Sequence, residues 1–293
     1  FVKKTCLVFT QISNLCDKFN ALLYNIISKS VEIHYLGVYM LKGFIVFVYG
    51  LVIGSFINVL IYRVPRSESI AFPSSHCPKC GNSLKWYDNI PVVSFVILKG
   101  RCRYCGDRIS AQYPLIELVN AFLYLLLYIK LNLSTEFIFL ALLTSILLAI
   151  AVIDIKEQVI PDSLVISILI LTIIYRVTIY LLYGTVFGLY NSILGALLGL
   201  LLFVFIVLVS RGGMGAGDVT LVTAFGFVLG WKNLLVSILL SFIVGAIVSL
   251  ILLGSGKKTR KDPIPFGPFL IIGFYLSYFF GNEIIRSYYE KLL

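Results

Sequence analysis

Long apolar stretches separated by short polar segments make up most of the chain from about residue 43 onward. A helix of about 20 apolar residues crosses the roughly 30 Å hydrocarbon core of a bilayer. Seven runs approach this length: 43–62, 114–131, 135–153, 163–183, 190–209, 233–253 and 267–280. An eighth run, 219–230, is shorter, and both it and 267–280 can span only by extension into their flanks or in a tilted arrangement. The pattern predicts an all-α polytopic membrane protein with about eight transmembrane helices.

Composition and charge agree with this prediction. Of the 293 residues, 59% are hydrophobic and only 13% are charged, which excludes an ordinary soluble domain. Fourteen of the 24 basic residues lie in four alternate loops, namely 63–113, 154–162, 210–218 and 254–266. Short loops rich in Lys and Arg stay in the cytoplasm, so these are the predicted cytoplasmic loops. The net charge of +10 therefore reflects topology and attraction to anionic membrane lipid, and nothing in it requires nucleic acid.

The first 39 residues fit this topology poorly. Four lysines in this stretch would lie on the outer side of the membrane: Lys3, Lys4, Lys18 and Lys29. The regular membrane pattern begins at Met40, so residues 1–39 are interpreted as an N-terminal extension of doubtful origin or a misassigned start. An amphipathic surface helix is the alternative. Cys6, Cys16 and His34 lie in this stretch and are assigned no role.

Four of the six cysteines form one spaced pattern. They are Cys77 and Cys80 in the first CxxC pair and, 21 residues later, Cys102 and Cys105 in the second. Two such pairs, followed here by Gly81 and Gly106, supply four thiolates to a closed tetrahedral Zn²⁺ site of the structural kind. Iron or disulfides are the alternatives, although a reducing cytoplasm disfavours disulfides. His76 is interpreted as a bystander. The loop 63–113 is thus predicted to be a small zinc-binding cytoplasmic domain between helices 1 and 2.

Two aspartates lie at the predicted cytoplasmic ends of apolar runs. Asp154 ends the third run and Asp218, 64 residues later, begins the short one. If they meet in a poorly solvated site, they cannot both ionise and must share one proton. Such a pair supplies one acid and one base, which can activate water and protonate a leaving amine. The glycines Gly213, Gly215 and Gly217 before Asp218 allow close backbone approach.

Other acidic residues have more ordinary interpretations. Asp162 precedes an apolar run and is predicted to be a helix N-cap. Glu117 is either a carboxylate stabilised by the dipole at a helix start or a functional group facing the helix bundle. The remaining acidic residues near the cytoplasmic face are interpreted as solvated surface: Glu68, Asp88, Asp107 and Glu157.

Taken in order, these motifs resemble those of one family. The "GMGAGD" box, the upstream aspartate in "DIKEQVIPD", the CxxC–x21–CxxC loop and the late "IPFGPFL" resemble the type IV prepilin peptidases, bacterial membrane enzymes of the Gly-x-Gly-Asp aspartic protease class. The resemblance covers about 40–293. It implies hydrolysis of the leader from a type IV prepilin or pseudopilin by Asp154 and Asp218, at the cytoplasmic face of the bacterial inner membrane. Such substrates belong to type IV pili or to type II secretion.

The resemblance also implies a second activity, methylation of the new N-terminus with S-adenosylmethionine. This activity is associated with an N-terminal region, residues 40–113, while 114–293 form the peptidase core. The cysteines of the loop match the family's zinc ligands. Glu117 matches a recurrent family position and is a candidate for cofactor binding, without a full set of binding residues. One departure is Thr220, where family members often carry lysine.

Two other classes of function fit parts of the pattern. A transporter would also place carboxylates at membrane depth, and a non-catalytic assembly scaffold would use the zinc loop and helices only for binding. Zinc-dependent hydrolysis is disfavoured because the sequence has no HExxH pair and no open three-ligand site.

Overall fold

A computed structural model describes residues 37–184, 188–210, 214–256 and 264–292. The lysines and cysteines of the first 36 residues, Arg211, Gly213 and the basic residues of 257–261 lie outside these ranges. The helices of the described part are α1 (37–63), α2 (Val93–Ile97), α3 (Gln112–Leu131), α4 (Thr135–Glu157), α5 (Asp162–Tyr183), α6 (Leu189–Val209), α7 (Ala216–Leu229), α8 (Trp231–Gly254) and α9 (Gly267–Leu292).

The predicted all-α membrane architecture is confirmed. Seven helices of the described ranges are long and apolar enough to cross a membrane, namely α1, α3, α4, α5, α6, α8 and α9. The eighth apolar segment forms α7, whose 14 residues rise only about 21 Å. The run 267–280 does extend into its flank, because α9 has 26 residues. Helix α1 begins at Gly37, before Met40, and Tyr39 stacks on Tyr128 of α3 at 4.9 Å between ring centroids.

Helix α4 forms the centre of the bundle. In its most apolar stretch 61% of the residues are buried, against at most 39% in the other spanning helices of the described part. Leu140, Leu143, Leu147 and Ile150 are completely buried along it. Helices α3, α5 and α9 all pack against α4. The C-terminal end of α4, which carries Asp154, is therefore surrounded by protein.

Glycines allow the closest helix contacts. Lipid supplies no hydrophobic driving force between helices, so small residues that bring backbones together favour their association. A Cβ atom on Gly195 of α6 would collide with the backbone of Gly226 of α7, and the reverse also holds. On α1, a Cβ at Gly50 or Gly54 would lie 2.6 Å from a backbone Cα atom of α3. These contacts attach α7 to α6 and α1 to α3.

The short helix α7 ends beside a basic side chain of α5. The Arg176 guanidinium donates from Nη2 to the Phe227 carbonyl oxygen at 3.0 Å and lies 5.3 Å from the centroid of the Phe227 ring. Carbonyl groups in the last turn of a helix have no partner within that helix, and they cannot bond to lipid. Arg176 therefore supplies a donor and a positive charge at the C-terminal end of α7, where the helix dipole favours a cation.

We expect Arg176→Leu to destabilise the protein, because it leaves a carbonyl at the end of α7 without its donor. The expected loss is about 1–3 kcal/mol, measured as a lower melting temperature in detergent. Arg286→Leu is the matched control, since Arg286 pairs only with Glu290 on an exposed face of α9, with 78% of its side chain accessible. Equal melting temperatures for the two variants would contradict a capping role for Arg176.

Candidate functional site

Asp154 lies near the end of the central helix α4 and is only 5% exposed. Its Oδ2 accepts a hydrogen bond at 2.8 Å from the backbone N–H of Gly267, the first residue of α9. A Cβ atom at position 267 would lie 2.7 Å from the same oxygen, so only glycine fits there without displacement. Gly267 belongs to the "IPFGPFL" motif, and the sequence analysis assigned it no role of its own. Neither spacing nor residue type indicated which backbone would contact Asp154.

Asp218 lies in the first turn of α7 and is 8% exposed. Its Oδ2 accepts a hydrogen bond at 3.2 Å from the backbone N–H of Gly215, which precedes the helix. This contact closes the N-terminal turn of α7, where the helix dipole favours a negative charge. The glycine–aspartate box thus forms a helix start around a buried carboxylate.

The fold brings the two aspartates together. The carboxyl groups of Asp154 and Asp218 are close enough for the charge of the first to act on the second. The loop between α4 and α5 contributes to this, because a Cβ on Gly217 would lie 2.7 Å from Cβ of Ile160. Gly217 therefore allows the segment that follows Asp154 to pack directly on the start of α7. Within the described residues, the second oxygen of each carboxylate accepts no hydrogen bond.

One sequence interpretation near this pair is wrong. Asp162 is the first residue of α5 and not its N-cap, which is Pro161 and makes no side-chain capping bond. Its carboxylate instead lies 3.4 Å from the hydroxyl of Thr220, which also donates to the Gly217 carbonyl oxygen at 3.0 Å. Thr220 thus interacts with Asp162 at the position where lysine was expected from the resemblance. Of the two alternatives for Glu117, a carboxylate in the first helical turn does not fit, because α3 begins at Gln112. The functional alternative stays a prediction.

The four spaced cysteines converge. Their Sγ atoms all lie within 4.8 Å of one another, and those of Cys77 and Cys105 are 3.9 Å apart. Four thiolates about 2.3 Å from a tetrahedral zinc would be about 3.8 Å apart. A disulfide requires about 2.05 Å, and all four thiols are free. The cluster could therefore bind a metal ion such as zinc.

The two CxxC segments have the same local geometry. In the first, the Cys77 N–H bonds to the carbonyl of Asn82 and the N–H of Gly81 bonds to the carbonyl of Cys77. In the second, Cys102 bonds in the same way with Asp107 and Gly106. Gly81 and Gly106 have φ values of 71° and 72°, in the region that disfavours side chains. The two turns thus repeat one knuckle geometry.

Asp88 connects the second knuckle to the rest of the loop 63–113, which we call the cysteine module. Its Oδ1 accepts from Arg103 Nε at 2.7 Å and its Oδ2 from the Tyr104 hydroxyl at 3.2 Å, with 3% of its side chain exposed. Burial raises the pKa of Asp88, but the hydrogen bonds from Arg103, the Lys85 N–H and Tyr104 outweigh it and hold that pKa below its usual value. Interpreting Asp88 as solvated surface was therefore wrong.

A cavity of about 600 Å³ lies between the cysteine module and the ends of α1 and α3. Its wall includes Asn58 and Tyr62 of α1, Cys77 and Cys102 of the knuckles, and Glu117 of α3. Sites for small molecules and cofactors commonly enclose roughly 300–1,000 Å³. The cavity is therefore large enough for a nucleoside cofactor.

Three groups in the cavity wall are unusual. Glu117 is 6% exposed and accepts from the backbone N–H of Val92 at 2.7 Å. Val92 has φ 60° and ψ −47°, which is rare for a β-branched residue and costs about 1–3 kcal/mol. Asn58 is 4% exposed, and its Oδ1 has no hydrogen-bond partner among the described residues. A buried acceptor without a partner costs about 1–3 kcal/mol. The sequence gave no signal for Asn58.

An ion pair links the cysteine module to the aspartate site. Arg66, just after α1, lies 3.5 Å from Glu157, the last residue of α4. Glu157 follows Asp154 by three residues. The cavity and the aspartate pair therefore lie at the same end of the helix bundle.

Comparisons with known proteins agree with this arrangement. A family model described as the bacterial peptidase A24 N-terminal domain matches residues 48–131, and one described as the type IV leader peptidase family matches 141–250. The chain is 36% identical to the prepilin leader peptidase/N-methyltransferase of Bacillus subtilis, over 85% of this chain and 98% of that protein. It is 34% identical to the protein of that name in Aeromonas salmonicida, over 85% and 94%, and 32% identical to that in Pseudomonas aeruginosa, over 82% and 91%. No solved structure matches the chain. Because these relatives match over nearly their whole length, the chain belongs to the type IV leader peptidase family.

Proposed function

We propose that this protein is a membrane aspartic endopeptidase that removes the leader from type IV prepilins or pseudopilins and then methylates the new N-terminus. The observation that carries the proposal is that Asp154 and Asp218, from segments 64 residues apart in sequence, are both buried at one end of the bundle, where Gly217 packs on Ile160. The names of these relatives support both activities, cleavage and N-methylation. Neither a transporter nor a scaffold explains why two buried acidic side chains occur in a member of a peptidase family.

The two aspartates can perform acid–base catalysis. Like charges in a poorly solvated site disfavour double ionisation, so the pair holds one proton at neutral pH. The ionised member accepts a proton from the attacking water, and the protonated member donates one to the leaving amine. Backbone N–H groups of Gly267 and Gly215 each occupy one oxygen of one carboxylate and hold it in place. The other oxygens remain for water and substrate.

The substrate and the membrane face follow from the same geometry. Seven apolar helices and the family indicate a multi-pass inner membrane protein. A prepilin carries a short basic leader before a long apolar helix, and its positive charge favours the cytoplasmic side. We place Asp154 and Asp218 at that face, since they lie at the end of the bundle that carries the basic loop 63–113.

Zinc and S-adenosylmethionine are the proposed cofactors. The Sγ separations of the cysteine cluster fit a tetrahedral zinc, which would bind Cys77, Cys80, Cys102 and Cys105 and stabilise the module. S-Adenosylmethionine would supply the methyl group for the new N-terminal amine. Glu117, the candidate that the sequence offered for binding it, lines the cavity at this end of the bundle.

The experiment that tests the proposal is incubation of the purified protein with a synthetic prepilin N-terminal segment and S-adenosylmethionine. Mass spectrometry separates loss of the leader from a further gain of one methyl group. Cleavage without methylation would support the peptidase and contradict the second activity. Intact substrate under conditions in which the protein is folded would contradict the proposal as a whole.

Asp154→Asn and Asp218→Asn should each reduce leader cleavage by about 100-fold to 10,000-fold, because each removes one member of the acid–base pair. The rate of leader loss in detergent is the measurement. Asp162→Asn is the matched control and should retain most of the activity, since its carboxylate is exposed and contacts only Thr220 among the described residues. A scaffold would tolerate both losses, so near-normal cleavage in either variant would rule out this mechanism.

Gly267→Ala should also reduce cleavage, because its new Cβ would lie 2.7 Å from Oδ2 of Asp154 and displace the carboxyl group. Gly254→Ala is the control, as a Cβ there meets nothing within 4 Å. Cleavage rates are compared at equal amounts of folded protein. If the two variants cleave equally well, the contact between Gly267 and Asp154 has no part in the reaction.

The protein should contain about one equivalent of zinc, as a closed four-thiolate site binds a single ion. Cys80→Ser should lose most of this zinc and expose the loop 63–113 to protease, because metal binding stabilises a segment too small for its own core. His76→Ala should keep its zinc, since the His76 Nδ1 lies beside the Ser74 carbonyl and outside the cysteine cluster. Metal analysis and limited proteolysis measure both effects. Zinc-free wild-type protein, prepared without chelator, would contradict the assignment.

A further inference from the structure

We infer that the segment 86–97 of the cysteine module lies in the membrane, where its apolar side chains insert into a leaflet that contains anionic phospholipid. The inference goes beyond the proposed reactions, because it concerns how the module is attached to the bilayer. The side chains that carry it, which we call the outward face, are Trp86, Ile90, Val93, Val96 and Ile97.

Helix α2 is apolar on both of its sides. Ser94 and Phe95 line the cavity between the module and the ends of α1 and α3. Val93, Val96 and Ile97 follow helical spacing on the other side and are 49%, 65% and 68% exposed, so the described residues leave that side open. A helix at a protein surface in water normally has one apolar and one polar side, and a helix that is apolar all round lies in a core or in lipid. The sequence of α2 therefore fits a helix with a second apolar environment.

Trp86 extends the outward face beyond α2. The turn that it begins, Trp86–Asn89, contacts α2, and Trp86 itself is 79% exposed. Single exposed apolar residues are common on protein surfaces, but a group of adjacent ones marks an interaction site. Tryptophan is enriched at the boundary between lipid and water, since its ring is apolar and its N–H group polar. The composition of the outward face is thus that of a lipid contact.

The attachment of α2 to α3 puts it at membrane depth. The N–H of Val92, directly before α2, donates to Glu117 Oε2 at 2.7 Å. Glu117 lies within the apolar run 114–131, five residues after the start of α3 at Gln112, which is about 7.5 Å along a helix. Helices at a membrane surface place their apolar side roughly 5–10 Å into the boundary between headgroups and acyl chains. The start of α2 is therefore held at a depth that such helices occupy.

Lysines at both ends of the segment indicate the class of lipid. Lys85 directly precedes the segment, and Lys99 follows α2 by two residues. Both are exposed, and neither forms an ion pair with the described residues. Residues 89–106 contain no acidic side chain, and Asp88 is paired with Arg103. Because basic residues beside a membrane are attracted to anionic headgroups, the segment matches a leaflet that contains anionic phospholipid.

The test measures how lipid and water reach Trp86 in full-length protein reconstituted into bilayers. The chain has two tryptophans, so Trp231→Phe leaves Trp86 as the only one. Phospholipid brominated on its acyl chains quenches the fluorescence of a ring that lies in the leaflet, and acrylamide, which is uncharged, quenches that of a ring in water. We expect brominated lipid to remove most of the Trp86 fluorescence and acrylamide to remove little of it.

The matched control moves the tryptophan to a polar part of the same module. Asn82→Trp, combined with Trp86→Phe and Trp231→Phe, places the only tryptophan in the first knuckle. Asn82 is exposed, and residues 73–85 include no large exposed apolar side chain. Acrylamide should quench this tryptophan and brominated lipid should not. The melting temperature verifies that each variant is folded.

Further variants test the class of lipid in the Trp231→Phe protein. Brominated phosphatidylglycerol, which is anionic, should quench Trp86 more strongly than brominated phosphatidylcholine does at the same mole fraction. Lys85→Gln together with Lys99→Gln should remove this difference, because the charges that attract the anionic lipid are lost. Lys79→Gln is the control and should keep the difference, since Lys79 pairs with an aspartate, Asp107, at 3.0 Å.

The results have distinct meanings. Quenching of Trp86 by acrylamide and not by brominated lipid would overturn the inference. Protection from both quenchers would also overturn it, because a second copy of the chain would then cover the outward face. Equal quenching by the two lipid classes would overturn the assignment of anionic lipid.

If the variants do not fold, the wild type decides the matter. It is cross-linked in bilayers to phospholipid that carries a photoreactive group on its acyl chain, and the labelled peptides are identified by mass spectrometry. Label on residues 86–97 supports the inference. Label confined to the spanning helices overturns it.

Discussion

Burial of two carboxyl groups at one end of the helix bundle is the constraint on which the arrangement of this bundle depends. Moving a carboxylate out of water costs several kcal/mol unless protein groups replace the solvent. Asp154 receives the N–H of Gly267 and Asp218 that of Gly215. Both donors are backbone groups at helix starts, and glycine at position 267 lets the backbone come close to Asp154. Each carboxyl group is thus held by one backbone N–H group of the described residues.

The short length of α7 helps to bury Asp218. A full spanning helix would place its first turn at the membrane surface, whereas the 14 residues of α7 end within the bundle. Glycine contacts attach it to α6, and Arg176 supplies the missing donor at its C-terminal end. Asp218 can therefore lie below the surface, shielded by α5 and α6, without unsatisfied backbone groups in lipid.

The cysteine module forms a second site at the same end of the bundle. Its two knuckles share one cysteine cluster, Asp88 connects the second knuckle to the segment before it, and the Arg66–Glu157 pair joins the module to α4. The cavity beneath it exists only because this small domain is folded over the ends of α1 and α3.

Much of this could be read from the sequence, because the relevant signals are local. The length of each apolar run determines whether a helix spans, and the CxxC spacing determines how four thiolates can meet, so the membrane class and the cysteine cluster were predicted and then confirmed. The Asp154–Asp218 pair was predicted as a hypothesis from two carboxylates at one membrane depth. Their roles in catalysis stay a prediction, as do the role of Glu117 and the domain limits at 39 and 113.

Other features were decided by the tertiary structure alone. Three contacts join residues at least 51 positions apart. They are the contact of Gly267 with Asp154, the hydrogen bond that orients the Asn58 amide, and the cap that Arg176 forms on α7. No periodicity or motif encodes such pairs, since they depend on which helix faces pack. Asp88 and Asp162 were misjudged for the same reason, because burial and partners are properties of the assembled fold. The sequence by itself determined which segments enter the membrane and which residues carry the chemistry, because these depend on hydrophobicity and side-chain type; packing decided which groups meet.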